Sequence, residues 1–148
     1  MERKDFIKTC CIACIGGTMM TTILSSCAAT AILHRNIIGD DLIVPIADFE
    51  STQHHEKRYH SYIVVQNDRL KYPICVYRTE SQEYTALWMK CTHQGTELQV
   101  FGDKLQCPAH GSEFNNQGNL INGPADKPLR TFPIRMENNQ LNISLKAL

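Results

Sequence analysis

The sequence predicts an all-β domain, and three observations carry that prediction. Short β-branched and aromatic runs recur along the chain. Turn-forming residues punctuate them. No segment after residue 40 repeats its apolar residues with a helical period over ten or more positions. In chain order the strand-like runs are Leu42-Ile43-Val44, Tyr62-Ile63-Val64-Val65, Pro73 to Tyr77 and Tyr84 to Met89. Near the end, Leu141, Ile143 and Leu145 alternate with Asn142 and Ser144, the period of a half-buried strand. Asn67-Asp68, Gly102-Asp103 and Asn138-Asn139 read as turns. Gly102-Asp103, set between Leu98-Gln99-Val100-Phe101 and Lys104-Leu105-Gln106, predicts a tight hairpin. The expected organisation is an export signal over residues 1–27, a tether over 28–40 and a β domain over 41–148.

Bulk properties narrow the function. Lys plus Arg and Asp plus Glu each number 15 in 148 residues, so no global charge points to nucleic acid. A hydrophobic content of 43% supports a globular core, not a multi-span membrane protein. Of the seven cysteines, Cys10, Cys11, Cys14 and Cys27 fall in an apolar stretch, and Cys75, Cys91 and Cys107 in the body. Three irregularly spaced body cysteines do not make a disulfide framework. Cys91 and Cys107 each have a histidine two or three residues on, which suggests metal ligation.

Residues Thr9 to Ala31 carry no charge, and Arg3, Lys4 and Lys8 precede them. A basic start, an apolar middle and small residues afterwards is the layout of an export signal. Arg3-Lys4-Asp5-Phe6-Ile7-Lys8 resembles the twin-arginine export signal, with Lys in place of the second Arg. Leu24-Ser25-Ser26-Cys27 resembles a bacterial lipobox, which implies lipid on Cys27 after cleavage before it. An uncleaved signal anchor is the alternative; at about 20 residues the stretch is long enough to span a bilayer. Either way the expected address is the extracytoplasmic face of a bacterial membrane. The Cys10-Cys11-x-x-Cys14 run is read as incidental.

Two boxes carry the chemistry: Cys91-Thr92-His93-Gln94-Gly95 and Cys107-Pro108-Ala109-His110-Gly111-Ser112. Thirteen residues separate His93 from Cys107, and the hairpin at Gly102-Asp103 would fold them back and set the boxes side by side. The candidate ligands are Cys91, His93, Cys107 and His110. Two thiolates and two imidazoles suit a tetrahedral zinc ion or a [2Fe–2S] cluster with two histidines on one iron. Common zinc sites pair like with like, whereas here Cys and His alternate. The glycine following each histidine, Gly95 and Gly111, lets the backbone turn tightly and aim N–H groups at sulfur.

The two boxes resemble the cluster-binding boxes of the Rieske iron–sulfur family, and Gly123-Pro124-Ala125 with Pro128-Leu129 resembles that family's proline loop. The likeness runs from about residue 42 to 145. It implies stacked antiparallel sheets with a small cluster-binding subdomain. It implies one [2Fe–2S] cluster, with Cys91 and Cys107 on the inner iron and His93 and His110 on the outer. Pro124 would help cover the cluster.

The chain departs from the family's high-potential members at three positions. Thr96 and Ala109 stand where those members carry a disulfide, and Phe114 where they carry a tyrosine hydroxyl. Ser112 keeps the other hydroxyl, which in the family donates to cluster or ligand sulfur. The expected potential lies inside the span of about −150 to +300 mV, below its upper extreme.

Cys75 reads as a small buried side chain, His54, His55 and His60 as part of a surface loop, and Trp88 as core, with a place just before Cys91 that could make it a cluster neighbour. No phosphate loop, nucleophile–base pair or zinc-protease helix is present. The leading expectation is a membrane-anchored electron carrier, a subunit or accessory of a respiratory redox complex. Its partners would be quinol- or cytochrome-linked proteins, and it would not be an enzyme by itself. A ferredoxin-type donor to an oxygenase and a structural Cys2His2 zinc domain are the alternatives.

Overall fold

The structure, a computed structural model, describes residues 31–53, 56–79 and 81–146. Within them β strands dominate, and one 3-10 turn at Ile46–Phe49 is the helical element among the described residues.

Three sheets form three layers. The central sheet holds β1 (Ile32–His34), β6 (Tyr62–Gln66), β7 (Ile74–Arg78), β8 (Tyr84–Trp88) and β13 (Thr131–Phe132), in the order β1-β6-β7-β8-β13. One flanking sheet orders β14 (Ile134–Glu137), β15 (Gln140–Ser144), β3 (Asp41–Pro45) and β2 (Ile37–Ile38). The other orders β12 (Leu120–Asn122), β11 (Glu113–Asn115), β10 (Lys104–Gln106) and β9 (Gln99–Phe101). A separate ribbon pairs β4 (Glu50–Gln53) with β5 (Glu56–Tyr59).

The layer order was written in the hydrophobic pattern. Successive side chains in a strand point to opposite faces. A central strand is therefore apolar on both faces, which is why β6 and β7 read as unbroken apolar runs. Ile63, Val65, Ile74, Val76 and Ala86 join Leu42, Val44, Leu141, Ile143 and Phe49 in one buried cluster. Val64, Cys75, Tyr77 and Leu87 join Met89, Leu98, Leu105 and Phe114 in the other. β15 buries one face, so Leu141 and Ile143 alternate with polar neighbours.

The predicted turns hold. β9 and β10 form the expected hairpin, with Phe101 opposite Lys104. Asn138 and Asn139, both at positive φ (52° and 58°), link β14 to β15 with Glu137 opposite Gln140, the backbone a type I′ turn requires.

Within the stretch 28–40 that the sequence marks as a tether, the described residues Ile32–His34 pair in parallel with Val64–Gln66, and Ile37–Ile38 pair with Leu42 and Asp41. Each segment supplies strand edges that an apolar sheet can use, and Leu33 and Ile37 pack on the core. The export-signal reading, the Cys27 reading, His54 and His55 lie outside the described residues.

Candidate metal centre

The two boxes fold into matching loops. The Cys91 N–H donates to the Thr96 carbonyl (2.8 Å), and the Gly95 N–H to the Cys91 carbonyl (2.9 Å). The Cys107 N–H donates to the Ser112 carbonyl (2.8 Å), and the Gly111 N–H to the Cys107 carbonyl (3.0 Å). Gly95 and Gly111 sit at φ +75° and +77°, the left-handed region where a side chain is strained. Their equivalence explains the spacing. Each glycine lies four residues after its cysteine, and the histidine takes the second place in one loop and the third in the other.

Hairpins carry both loops. Lys90 bridges Glu97 across the first, and β10 pairs with β11 across the second. The hairpin at Gly102-Asp103 returns the chain so that the loops meet. Cys91 and Cys107 are 1% and 2% exposed, unpaired as a disulfide, and members of one core cluster. His93 and His110 are exposed, their rings 5.4 Å apart and nearly perpendicular at 88°. The four candidate ligands thus form a buried sulfur pair and an outward-facing imidazole pair. Among the described residues no three His, Cys, Asp or Glu side chains close on a point for a single ion. A two-iron cluster, with soft thiolates on one iron and imidazoles on the other, suits donors split this way.

The local field favours thiolate. Burial pushes the Cys107 thiol up. The Ala109 N–H, the Cys91 side chain, the His110 N–H and the Thr96 hydroxyl together outweigh burial and hold it below the ordinary cysteine value. Cys75 is the contrast. It is fully buried, and desolvation pushes its thiol up to about 12, as expected of a core side chain.

The Gly123-Pro124-Ala125 loop is tied to both boxes. Ser112, fully buried, accepts a hydrogen bond from the Ala125 N–H at 3.0 Å. Its single hydroxyl proton is therefore left to donate elsewhere. Thr92 donates to the Lys127 carbonyl at 2.8 Å. Pro124 is exposed and follows a cis peptide bond from Gly123. Phe114 is fully buried, in the same core cluster as the two cysteines.

Three contributors escaped sequence reasoning. In the sequence Thr96 marks only an absent cysteine, yet its hydroxyl acts on Cys107. Thr92, inside the first box, ties down the proline loop. Tyr72 donates to the Gly95 carbonyl at 2.7 Å and packs edge-on against Trp88 at 5.6 Å. Nothing local to Tyr72 signals that contact, because the strand pairing makes it. Trp88 is half-buried and lines a cleft beside Cys91 and His93.

The family model for the Rieske [2Fe-2S] domain matches residues 47–133. The cytochrome b6-f complex iron-sulfur subunit of Chlorobaculum tepidum is 30% identical over 63 residues, 41% of this chain and 35% of that protein. The cytochrome b6-f complex iron-sulfur subunit 2 of Nostoc sp. PCC 7120 is 34% identical over 56 residues, 36% of this chain and 32% of that one. The chain spans about a third of the length of these curated relatives. The crystal structure of the cyanobacterial plasma membrane Rieske protein PetC3 from Synechocystis PCC 6803 aligns with a TM-score of 0.50 at 28% identity, covering 57% of this chain and 86% of that one. The complex of reduced oxygenase and oxidized ferredoxin in carbazole 1,9a-dioxygenase aligns at a TM-score of 0.51 and 21% identity, covering 70% and 91%, a likeness of fold.

Proposed function

Because the chain belongs to the Rieske [2Fe–2S] domain family, and so carries one [2Fe–2S] cluster, we propose that it transfers single electrons between proteins at the extracytoplasmic face of a bacterial membrane. In this reading Cys91 and Cys107 hold the inner iron and His93 and His110 the outer. The observation that carries it is the pairing of two buried thiols with two exposed imidazoles on matched loops. When bound, the cluster supplies one-electron chemistry. Cys91 and Cys107 keep the sulfur side dry, and backbone N–H groups favour the Cys107 thiolate. His93 and His110 face solvent, where a partner can reach them. Ser112 and Thr92 fix the proline loop over the site.

The membrane address rests on the export-signal and lipobox-like patterns before Ile32, which would place lipid on Cys27. The relatives named as cytochrome b6-f iron-sulfur subunits and as a plasma membrane Rieske protein favour a place beside a membrane redox complex. A ferredoxin-type donor to an oxygenase is the second reading. Its support is the fold shared with the oxygenase–ferredoxin complex, and an export signal argues against it. Iron and acid-labile sulfide analysis, with EPR of the reduced protein, tests the centre. Two irons and two sulfides per chain with a low average g are expected. Zinc in their place, with no EPR signal, would overturn it.

A further inference from the structure

The cleft beside the first box has a charge that the proposed centre does not require. Its volume is about 590 Å³, and His93, Thr92, Trp88, Lys90, Lys127 and Arg130 are among its lining residues. Lys90 sits 5.1 Å and Arg130 5.6 Å from the centre of the Trp88 ring, one ammonium and one guanidinium on the same indole. Among the described residues six ion pairs join Arg35–Asp48, Lys57–Glu50, Arg58–Glu56, Lys104–Glu113, Arg135–Asp41 and Lys146–Asp40, and none of the three cleft cations takes part. The nearest carboxylates by sequence and pairing are Asp126 and Glu97. Asp126 neighbours Lys127 but is not among the cleft's lining residues, and Glu97 lines a different cavity, with Ile32 and Val64. In a chain with no net charge, three cations with no carboxylate partner among the described residues thus line the cleft that holds one exposed imidazole, Arg130 donating only to the neutral carbonyls of Leu145 and Lys146.

We propose that this cleft docks the carboxylate-bearing face of a redox partner protein, with Lys90, Lys127 and Arg130 steering it onto His93. The inference rests on the electron-carrier reading. Charge complementarity selects the partner, because a local field of one sign raises encounter rates with the opposite sign and fades with salt. An anionic lipid surface would share the charge but has no centre to exchange electrons with.

The test uses the full-length, cluster-loaded protein. Reduced protein is mixed in stopped flow with hexacyanoferrate(III), a trianion, or tris(phenanthroline)cobalt(III), a trication, over a range of salt. The anion should react more slowly as salt rises and the cation faster. The triple variant K90E/K127E/R130E should slow the anion about tenfold or more at low salt and reverse its salt slope. K127E alone, away from the Trp88 ring, guards against misfolding and should act in the same direction. K57E/R58E, on the separate ribbon, should leave both rates unchanged.

Equilibrium dialysis with redox-inert hexacyanocobaltate(III) reads the cleft without electron transfer. Binding lost in the triple variant supports the cleft even if metal analysis finds no cluster and the carrier reading fails. Salt-independent rates, or rates that the triple variant leaves unchanged, overturn the proposal. So does binding to phosphatidylglycerol vesicles that the triple variant abolishes, which would assign the surface to a membrane.

Discussion

Replacing Ser112 by alanine separates what the centre does from what holds it. Ser112 is fully buried, and its oxygen already accepts the Ala125 N–H. Its one proton is free for a sulfur of the centre, as the family resemblance implies. A hydrogen bond to a charged group contributes about 1.5–3 kcal/mol, and only the part stronger in the reduced state moves the potential. Taking that part as about 1–2 kcal/mol, with about 59 mV per 1.4 kcal/mol for one electron, Ser112→Ala should lower the midpoint by roughly 40–85 mV. The same change strands the Ala125 N–H, which should cost about 1–3 kcal/mol of stability. The assay is a redox titration followed by circular dichroism, beside urea unfolding of the same sample. Thr92→Val is the control. It removes the tie to Lys127 without removing a buried hydroxyl, so its midpoint should stay near that of the parent. An iron-loaded Ser112→Ala protein whose midpoint moves by less than about 10 mV would refute the assignment, whatever its stability.

Other outcomes follow from the same geometry. Cys107→Ser should abolish iron binding and the EPR signal, whereas Cys75→Ala, in the core near the centre but not of it, should keep both. Thr96→Val removes the hydroxyl acting on Cys107 and should lower the midpoint by a few tens of mV, about half a hydrogen bond's worth; an unchanged midpoint would count against it. Alkaline stability should report Cys75. Its thiol ionises in the ordinary cysteine range when unfolded, and burial pushes it up to about 12 when folded. Between those values the unfolded state binds fewer protons, so stability falls as pH rises, by up to about 1.4 kcal/mol per pH unit. Urea midpoints measured from pH 8 to 11 should therefore fall less steeply in Cys75→Ala than in the parent.

The sequence itself carries much of this architecture. The runs at Tyr62–Val65 and Pro73–Tyr77 foretold strands, and their lack of alternation marked a sheet buried on both sides. The two boxes were legible because a ligand pair at fixed spacing with a glycine has few other uses. What the sequence concealed depends on contacts between distant segments. Tyr72 meets Gly95 only once β7 and β8 have paired and the chain has turned into the first box. Ser112 meets Ala125 only when the proline loop folds back. Lys90, Lys127 and Arg130 are scattered along the chain and become a cluster only in three dimensions.

The pairing of Ile32–His34 with β6 limits how far the proposed anchor could let the domain move. With residues 28–40 free, a lipidated Cys27 could let the domain range about 45 Å from the membrane, at roughly 3.5 Å per residue. β1 instead begins at Ile32 and pairs with β6. Residues 28–31 alone then separate Cys27 from the sheet, a reach of at most about 14 Å. The domain would be held against the bilayer, and its partner would have to be membrane-bound or peripheral at that surface. Metabolic labelling with palmitate and fractionation should show label on the parent and none on Cys27→Ala, which should leave the membrane pellet. Inserting about ten Gly/Ser residues after Ala29 should keep the label while lengthening the reach several-fold. If the partner is fixed at the membrane, electron transfer in isolated membranes should change with that insertion. Cys27→Ala remaining in the pellet without label would assign the anchor to an uncleaved apolar segment, and the short-leash argument would fall with it.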